Sequence, residues 1–377
     1  MSGIIEAQDL ELAARKRLPR FVFDFVHGGS GQENALRNNA AVLKTIRFVP
    51  RMLSGNTDQS TSVSLLGRSY AAPFGIAPIG MLGLVRNGAE IMLARAARAS
   101  DIPMILSTAA TQSIEEVAKV AGKNFWFQYY PTQLQSLNQE LIERSRAVGC
   151  QTLVLTVDTP VPGRRLRDLR NGLQIPPRLT TKTVGQLAMR PRWALERAIA
   201  GAPELANLAG LHGRTQRSFA ETMKLLSAPS LTWAEVAKLR DTWKGQLVVK
   251  GVLHPKDVMR CNELGVDGVI LSNHGGRQLD SAVSPIEVLA ACRKSAGKKL
   301  TIIVDGGLRS GDDIAKCLAL GADFVLLGRP FVYAAANGEK YIAQLIDLLI
   351  AELKNTLALT GVSMAELSQV MANDMAL

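Results

Sequence analysis

Short apolar runs recur eight times along this chain, most of them separated by helix-like stretches, and no other feature narrows the possible folds so far. The runs are PFGIAPI (73–79), PMILST (103–108), FWFQYY (125–130), TLVLTVD (152–158), QLVVKGV (246–252), DGVILSN (267–273), LTIIVDG (300–306) and FVLLGR (324–329). Runs so uniformly apolar form strands buried on both faces, as in a parallel sheet. Between most of them lie helical patterns such as SIEEVAKVAG and SGDDIAKCLALG, several closing on a glycine suited to a helix C-terminus. Eight strands alternating with helices predict an α/β fold, a (β/α)8 TIM barrel, whose core occupies about 250 residues. The alternative is a doubly wound sheet, which usually carries G-x-G-x-x-G after its first strand. No such turn follows the first strand here.

The remaining chain frames the barrel. Residues 1–60 read as N-terminal helices and a loop: Ile5, Leu10, Leu12 and Leu18 form an apolar stripe that Pro19 interrupts, and Gly28, Gly29 and Gly31 end a phenylalanine-rich helix. The barrel is expected over 73–360, with an inserted loop region at 176–230 between the fourth and fifth strands, all within one domain spanning 1–377. Within the insertion, residues 178–217 hold seven basic residues (Arg178, Lys182, Arg190, Arg192, Arg197, Arg214, Arg217) and two acids (Glu196, Glu204), a net +5 out of +11 for the chain. Trp193, Leu195, Ile199, Leu205 and Leu208 are interleaved with them and read as exposed. Such a segment is either a lid or subunit contact, or a basic amphipathic surface lying on an anionic membrane.

Composition removes other classes. No run of about 18 uncharged apolar residues is present to span a bilayer, and MSGIIEAQDLELAARKRLPR lacks the apolar core of a secretory signal. The four cysteines are far apart, which argues against a disulfide framework or a zinc site and fits a reducing compartment. The positive charge calls for anionic partners, yet no zinc-finger, homeodomain or RNP-type pattern points to nucleic acid. No metal site is expected.

In a barrel of this kind every strand delivers its C-terminal residue to one face. The strand ends bring Ala77-Pro78, Ser107, Gln128 with Tyr130, Thr156 with Asp158, Lys250, Ser272 with His274, Asp305-Gly306-Gly307 and Gly328-Arg329 to that face. Histidine is the side chain best suited to proton transfer near neutral pH. The last two strand ends, with Arg309, match the phosphate site that barrels build after strands seven and eight. A phosphorylated cofactor with its ring over the barrel mouth follows. Lys250 and the polar groups of Ser107, Gln128, Thr156 and Ser272 are placed to tune that ring. A non-catalytic phosphate- or nucleic-acid-binding barrel is the competing class, and it leaves His274, Asp158, Lys250 and Tyr130 without a purpose.

SNHGGRQLD, VDGGLRSGDDIAKCLALGAD, LLGRP and LTVDTP-x-x-GRR resemble the FMN-dependent L-2-hydroxy acid dehydrogenases and oxidases, a family that includes mandelate and lactate dehydrogenases. The resemblance runs from about residue 6 to 368. It makes 1–377 a single FMN-binding hydroxy acid dehydrogenase domain that oxidises a small (S)-2-hydroxy acid to the 2-keto acid. It implies His274 as base, Asp158 as its orienting acid, Arg165 and Arg277 as carboxylate ligands, Tyr130 as a substrate hydrogen-bonder and Lys250 beside the flavin. Ala77, Pro78, Ile79 and Gly80 with Ser107, Gln128, Thr156 and Ser272 would line the flavin. Asp305, Gly306, Gly307, Arg309, Gly328 and Arg329 would hold its ribityl phosphate tail. Phe25 stands where the family usually has a tyrosine, and Gly80 where many oxidases have alanine; both point to a bulky, mandelate-like substrate. The resemblance further implies a quinone or other electron acceptor, a homotetramer, and peripheral attachment to the cytoplasmic side of a membrane through 178–217. A soluble cytoplasmic enzyme, a peroxide-forming oxidase and a lactate dehydrogenase are the alternatives.

Overall fold

A computed structural model describes residues 3–56, 59–172, 180–211, 231–297 and 299–372. Three helices lead in: α1 (Ala7–Arg17), α2 (Arg20–His27) and α3 (Asn34–Thr45). A hairpin of β1 (Val63–Leu65) and β2 (Arg68–Tyr70) follows. Eight parallel strands then close into a barrel: β3 (Phe74–Ile76), β4 (Met104–Ser107), β5 (Phe125–Tyr129), β6 (Thr152–Thr156), β7 (Gln246–Val252), β8 (Gly268–Leu271), β9 (Thr301–Asp305) and β10 (Phe324–Leu327). They pair in sequence order, and β10 returns to β3. The barrel expectation holds.

Side chains alternate across a strand, and here the alternation separates two cores. Ile105, Trp126, Val154, Val248, Ile270, Ile303 and Leu326 fill the barrel interior with Leu65 and Tyr70. Their neighbours Leu106, Phe127, Leu153, Val249, Val269, Ile302 and Val325 belong to the larger core shared with the helices. Burying each such side chain stabilises the fold by about 1.5–3 kcal/mol. The hairpin lends Tyr70 to the interior, where its hydroxyl accepts a hydrogen bond from Trp126 Nε1 at 3.1 Å. Two residues beyond each interior side chain come Ser107, Gln128, Thr156, Lys250, Ser272, Asp305 and Gly328. The period of two therefore carries the chain from an apolar core to a polar ring in a single step.

Several boundaries differ from expectation. The first strand ends at Ile76 rather than residue 79, and residues 77–81 turn away, with Met81 at φ +59°. The last strand ends at Leu327, and Gly328 caps an unanticipated helix, Arg329–Asn337, with Pro330 in its first turn. Proline there lacks a donor the helix would not use anyway. Apolar RPFVYAAAN reads equally well as strand, so periodicity alone could not separate the two.

The insertion corrects the expectation for its apolar residues. Helices Thr181–Ala188 and Pro191–Ala200 and a 3₁₀ segment, Ala206–Leu211, occupy its described part. Trp193, Leu205 and Leu208 are buried, not exposed. Trp193 packs edge-on against Phe21 at 5.9 Å and donates Nε1 to Leu84 O at 3.1 Å. Ala206 N bonds Ala110 O, and Asn207 Oδ1 accepts from Ile114 N at 2.9 Å. The insertion is thus fastened to α2 and to the loops after β3 and β4. Leu195 and Ile199 remain exposed, together with Val184 and Met189. Arg178, Arg214 and Arg217 and the side chain of Lys182 lie outside the described residues.

Candidate active site

At the C-terminal mouth of the barrel lies a cavity of about 700 Å³. Ala77 to Gly80, Ser107, Tyr130, Thr156, Lys250, His274, Arg277, Asp305 to Gly307, Arg309, Gly328 and Arg329 line it, with Phe25 and Arg165. Gln128, Asp158 and Ser272 stand one layer behind. Gln128 accepts from Ser107 Oγ at 2.8 Å and donates to Thr156 Oγ1 at 2.9 Å, so it fixes two wall residues without forming wall itself.

His274 leaves β8 in a sharp turn. It has φ +58°, and Gly275 and Gly276 follow at +64° and +74°. Three successive left-handed residues need compensating contacts, since only glycine adopts that region freely. Ser272 Oγ accepts from His274 N at 3.0 Å, and Asn273 Oδ1 from Gly276 N at 3.1 Å. Asn273 and Asn39 of α3 exchange two amide bonds of 2.8 Å. Asn39 is a supporting residue that sequence reasoning missed, because nothing marks a helix asparagine as the partner of a turn more than two hundred residues away.

The turn sets the imidazole between two groups. Nδ1 lies 3.0 and 3.1 Å from the two oxygens of Asp158, and Nε2 3.4 Å from the Tyr130 hydroxyl. Burial opposes charge on Asp158, but His274 and then Lys250 outweigh it and hold the carboxyl below its ordinary value. An ionised Asp158 makes Nδ1 the donor and leaves the Nε2 lone pair as the basic site. Gly251, at φ +104°, makes the approach possible, since a Cβ there would lie 2.5 Å from Asp158 Cβ. Burial raises the Tyr130 phenol well above its ordinary range, and Asp158 adds to the rise, so it stays a neutral hydroxyl.

Cations crowd the rest of the wall. Lys250 Nζ lies 2.7 Å from Ser272 Oγ and 3.1 Å from Asp305 Oδ2. Burial works against its charge, yet Asp305 and Asp158 raise its pKa overall. Arg277 donates Nη1 to Phe25 O and Gly28 O at 2.8 and 2.7 Å, with its guanidinium 5.3 Å over the Phe25 ring. Arg329 donates to Val26 O, Gly28 O and Gly275 O at 3.0–3.1 Å. The C-terminal carbonyls of α2 therefore anchor two arginines of the site, a contribution no local motif signals. Burial depresses both guanidinia, Arg329 to about 10. Arg165 Nε is buried without a hydrogen-bond partner among the described residues. Asp168, also unforeseen from sequence, lines the cavity with Oδ2 3.8 Å from Arg165 Nη1. Burial pushes its carboxyl up, against the pull of Arg277 and Arg165.

Comparison with known proteins agrees with this geometry. Residues 14–374 match the family described as FMN-dependent dehydrogenase. The chain belongs to that family. An L-lactate dehydrogenase of Caulobacter vibrioides is 41% identical to this member over 94% of its chain and 93% of the relative. One from Stenotrophomonas maltophilia is 38% identical over 95% of each. The monotopic membrane protein (S)-mandelate dehydrogenase superposes with a TM-score of 0.93 at 38% identity, covering 98% of this chain and 99% of that one. A mandelate oxidase gives 0.82 at 36%, covering 98% of both. The protein is an FMN-dependent 2-hydroxy acid dehydrogenase.

The wall fits FMN on its own chemistry. Asp305 Oδ1 is buried and has no hydrogen-bond partner among the described residues, an acceptor suited to a ribityl hydroxyl rather than a phosphate. A phosphate would be held by Arg309, the Gly306-Gly307 turn and the start of helix Arg329–Asn337, which all line the cavity and offer backbone N–H groups and a guanidinium. Arg329 Nη1 has no hydrogen bond among the described residues, so it keeps donors for such an anion. Gly80 faces Ala109, whose Cβ would stand 3.0 Å from a Cβ at position 80.

Proposed function

We propose that this enzyme oxidises aromatic, mandelate-like (S)-2-hydroxy acids to 2-keto acids and passes the electrons to a quinone. The observation that carries the reading is the His274–Asp158 pair facing a cavity that also holds two substrate-facing arginines. The substrate carboxylate pairs with Arg165 and with the Arg277 donors that α2 leaves uncommitted. Tyr130 hydrogen-bonds the substrate and fixes its hydroxyl toward His274 Nε2, which takes the hydroxyl proton. Asp158 then pairs with the imidazolium. FMN, when bound, would take up the α-hydrogen together with the two electrons of its C–H bond as the carbonyl forms. Lys250, a buried cation beside the barrel axis, favours negative charge arriving next to it.

Phe25, Met81, Leu82, Val85 and Ala109 contribute apolar wall, which supports a phenyl-bearing substrate. Identity to L-lactate dehydrogenases supports lactate as the second reading. To test the acceptor, enzyme reduced by (S)-mandelate is mixed with aerated buffer or with a soluble quinone. Slow reoxidation in air and fast reoxidation by quinone are expected. Rapid, stoichiometric peroxide release identifies an oxidase instead.

Peripheral attachment to the cytoplasmic face of a membrane completes the proposal. Leu195 and Ile199 are 63% and 79% exposed on a helix that also carries Arg192, a combination that enters an interface. Among the described residues no helix is long and apolar enough to cross a bilayer. The similarity to a monotopic membrane protein supports the same reading. Replacing Leu195 and Ile199 with serine should abolish sedimentation with anionic liposomes at low salt while leaving the fold intact. Equal sedimentation of that variant and wild type places the contact elsewhere.

A further inference from the structure

Among the described residues two acids line the cavity, Asp305 and Asp168, and they differ in how they are engaged. Asp305 is held by Lys250 at 3.1 Å. The Asp168 carboxylate receives no hydrogen bond from the described residues; its nearest cation among them, Arg165, is 3.8 Å away, beyond hydrogen-bond reach. It lies three residues after Arg165, in helix Leu166–Asn171, one turn from the guanidinium it faces. Other acids near these arginines are committed elsewhere. Asp24 pairs with Arg167 and accepts from Asn171, and Asp158 holds His274. Arg164 also borders the cavity, but it is exposed and therefore screened by solvent.

Arg329 shares the Gly28 carbonyl with Arg277, but in the FMN-loaded enzyme its charge is met by the cofactor phosphate, so the balance left for the substrate is set by Arg165, Arg277 and Asp168. Two guanidinia alone make a doubly positive site, which favours a dianion. With one carboxylate added, the balance is a single positive charge, the complement of one substrate carboxylate. We propose that Asp168 is the charge selector of the carboxylate site, admitting 2-hydroxy monocarboxylates and rejecting dicarboxylates. The proposal rests on the reading that Arg165 and Arg277 hold the substrate carboxylate. Asp168 acts through Arg165 and through its own field, so it is a specificity-determining residue and not a catalytic one. Repulsion from an acid held only by a long ion pair works against a second carboxylate, and building repulsion against the wrong ligand is how sites discriminate ligands of similar shape.

The test uses malonate and its monoamide, malonamate, which have nearly the same shape and differ by one charge. Dissociation constants are read from the perturbation of bound FMN absorbance in the holoenzyme. The pH is mildly alkaline, so that the carboxyls of both probes are ionised and ionisation of Asp168 is favoured. Wild type should bind malonamate more tightly than malonate. Asp168→Asn, and Asp168→Ser as a second shape, should shift the malonate-to-malonamate affinity ratio at least tenfold toward malonate. Asp168→Glu should keep the wild-type ratio. An unchanged ratio in the Asn and Ser variants overturns the proposal, as does equal loss of both ligands, which would mean that Asp168 merely holds its helix. Preference of wild type for malonate overturns it without any mutation. Wild type that binds neither ligand removes the carboxylate site itself, and the proposal with it.

Discussion

His274→Gln should retain FMN and reduce it slower than wild type by about 10²–10⁴-fold, the contribution of a positioned general base. Glutamine preserves length and hydrogen-bonding capacity, so contacts with Asp158 and Tyr130 can be kept in part. What it lacks is a lone pair that takes a proton near neutral pH. None of the cavity groups is placed to substitute. Asp158 lies behind the imidazole and is held below its ordinary pKa, Tyr130 is a neutral phenol whose own proton is hard to remove, and Lys250 is a cation. The turn that presents His274 is held by Ser272, Asn273 and Asn39 rather than by the imidazole, so cofactor binding should survive. Stopped-flow measurement of flavin bleaching under anaerobic conditions gives the rate. Reduction at close to the wild-type rate would take His274 out of the proton transfer.

The second large effect concerns stability. Lys250 is 4% exposed and sits between Asp305 and Asp158. Lys250→Met leaves the buried Asp305 carboxylate without its cation and takes a second positive charge from Asp158, which keeps His274, and Asp305 already has one oxygen without a partner among the described residues. Breaking a buried pair from one side costs about 3–5 kcal/mol, because the remaining charge is uncompensated. Lys250→Met should lower unfolding stability by that amount in the FMN-free protein, measured by denaturant titration. Adding Asp305→Asn should return most of the loss, since an amide is far cheaper to bury than a carboxylate. A single variant within about 1 kcal/mol of wild type, the range of an exposed pair, would show that Lys250 is not the counter-ion of this core.

What could be read in the chain before folding follows the reach of each interaction. The strand positions and the polar ring are local facts. An apolar residue at Ile270 places Ser272 on the same face, and the abrupt change to Asn273-His274-Gly275-Gly276 marks the end of the strand. His274, Lys250 and Asp305 were therefore legible as soon as the barrel was. Asn39, the carbonyls of Phe25, Val26 and Gly28, and the burial of Trp193 were not, because each depends on segments far apart in sequence. Trp193 shows the difficulty well. On a basic, otherwise exposed helix an indole reads as an interfacial anchor, and only the position of Phe21 and Leu84 makes it core. The resemblance assigns Asp305 to the ribityl phosphate tail, but no local motif shows that β9 also sets its carboxylate beside Lys250.

The most direct test of the account is anaerobic mixing of the FMN-loaded enzyme with (S)-mandelate, (R)-mandelate and L-lactate while the oxidised flavin absorbance is followed. The arrangement of His274, Arg165, Arg277 and Tyr130 around one face of the cavity predicts rapid, complete bleaching by (S)-mandelate, slower bleaching by L-lactate and none by (R)-mandelate. Flavin that stays oxidised with every 2-hydroxy acid, in protein shown to hold its FMN, would contradict it.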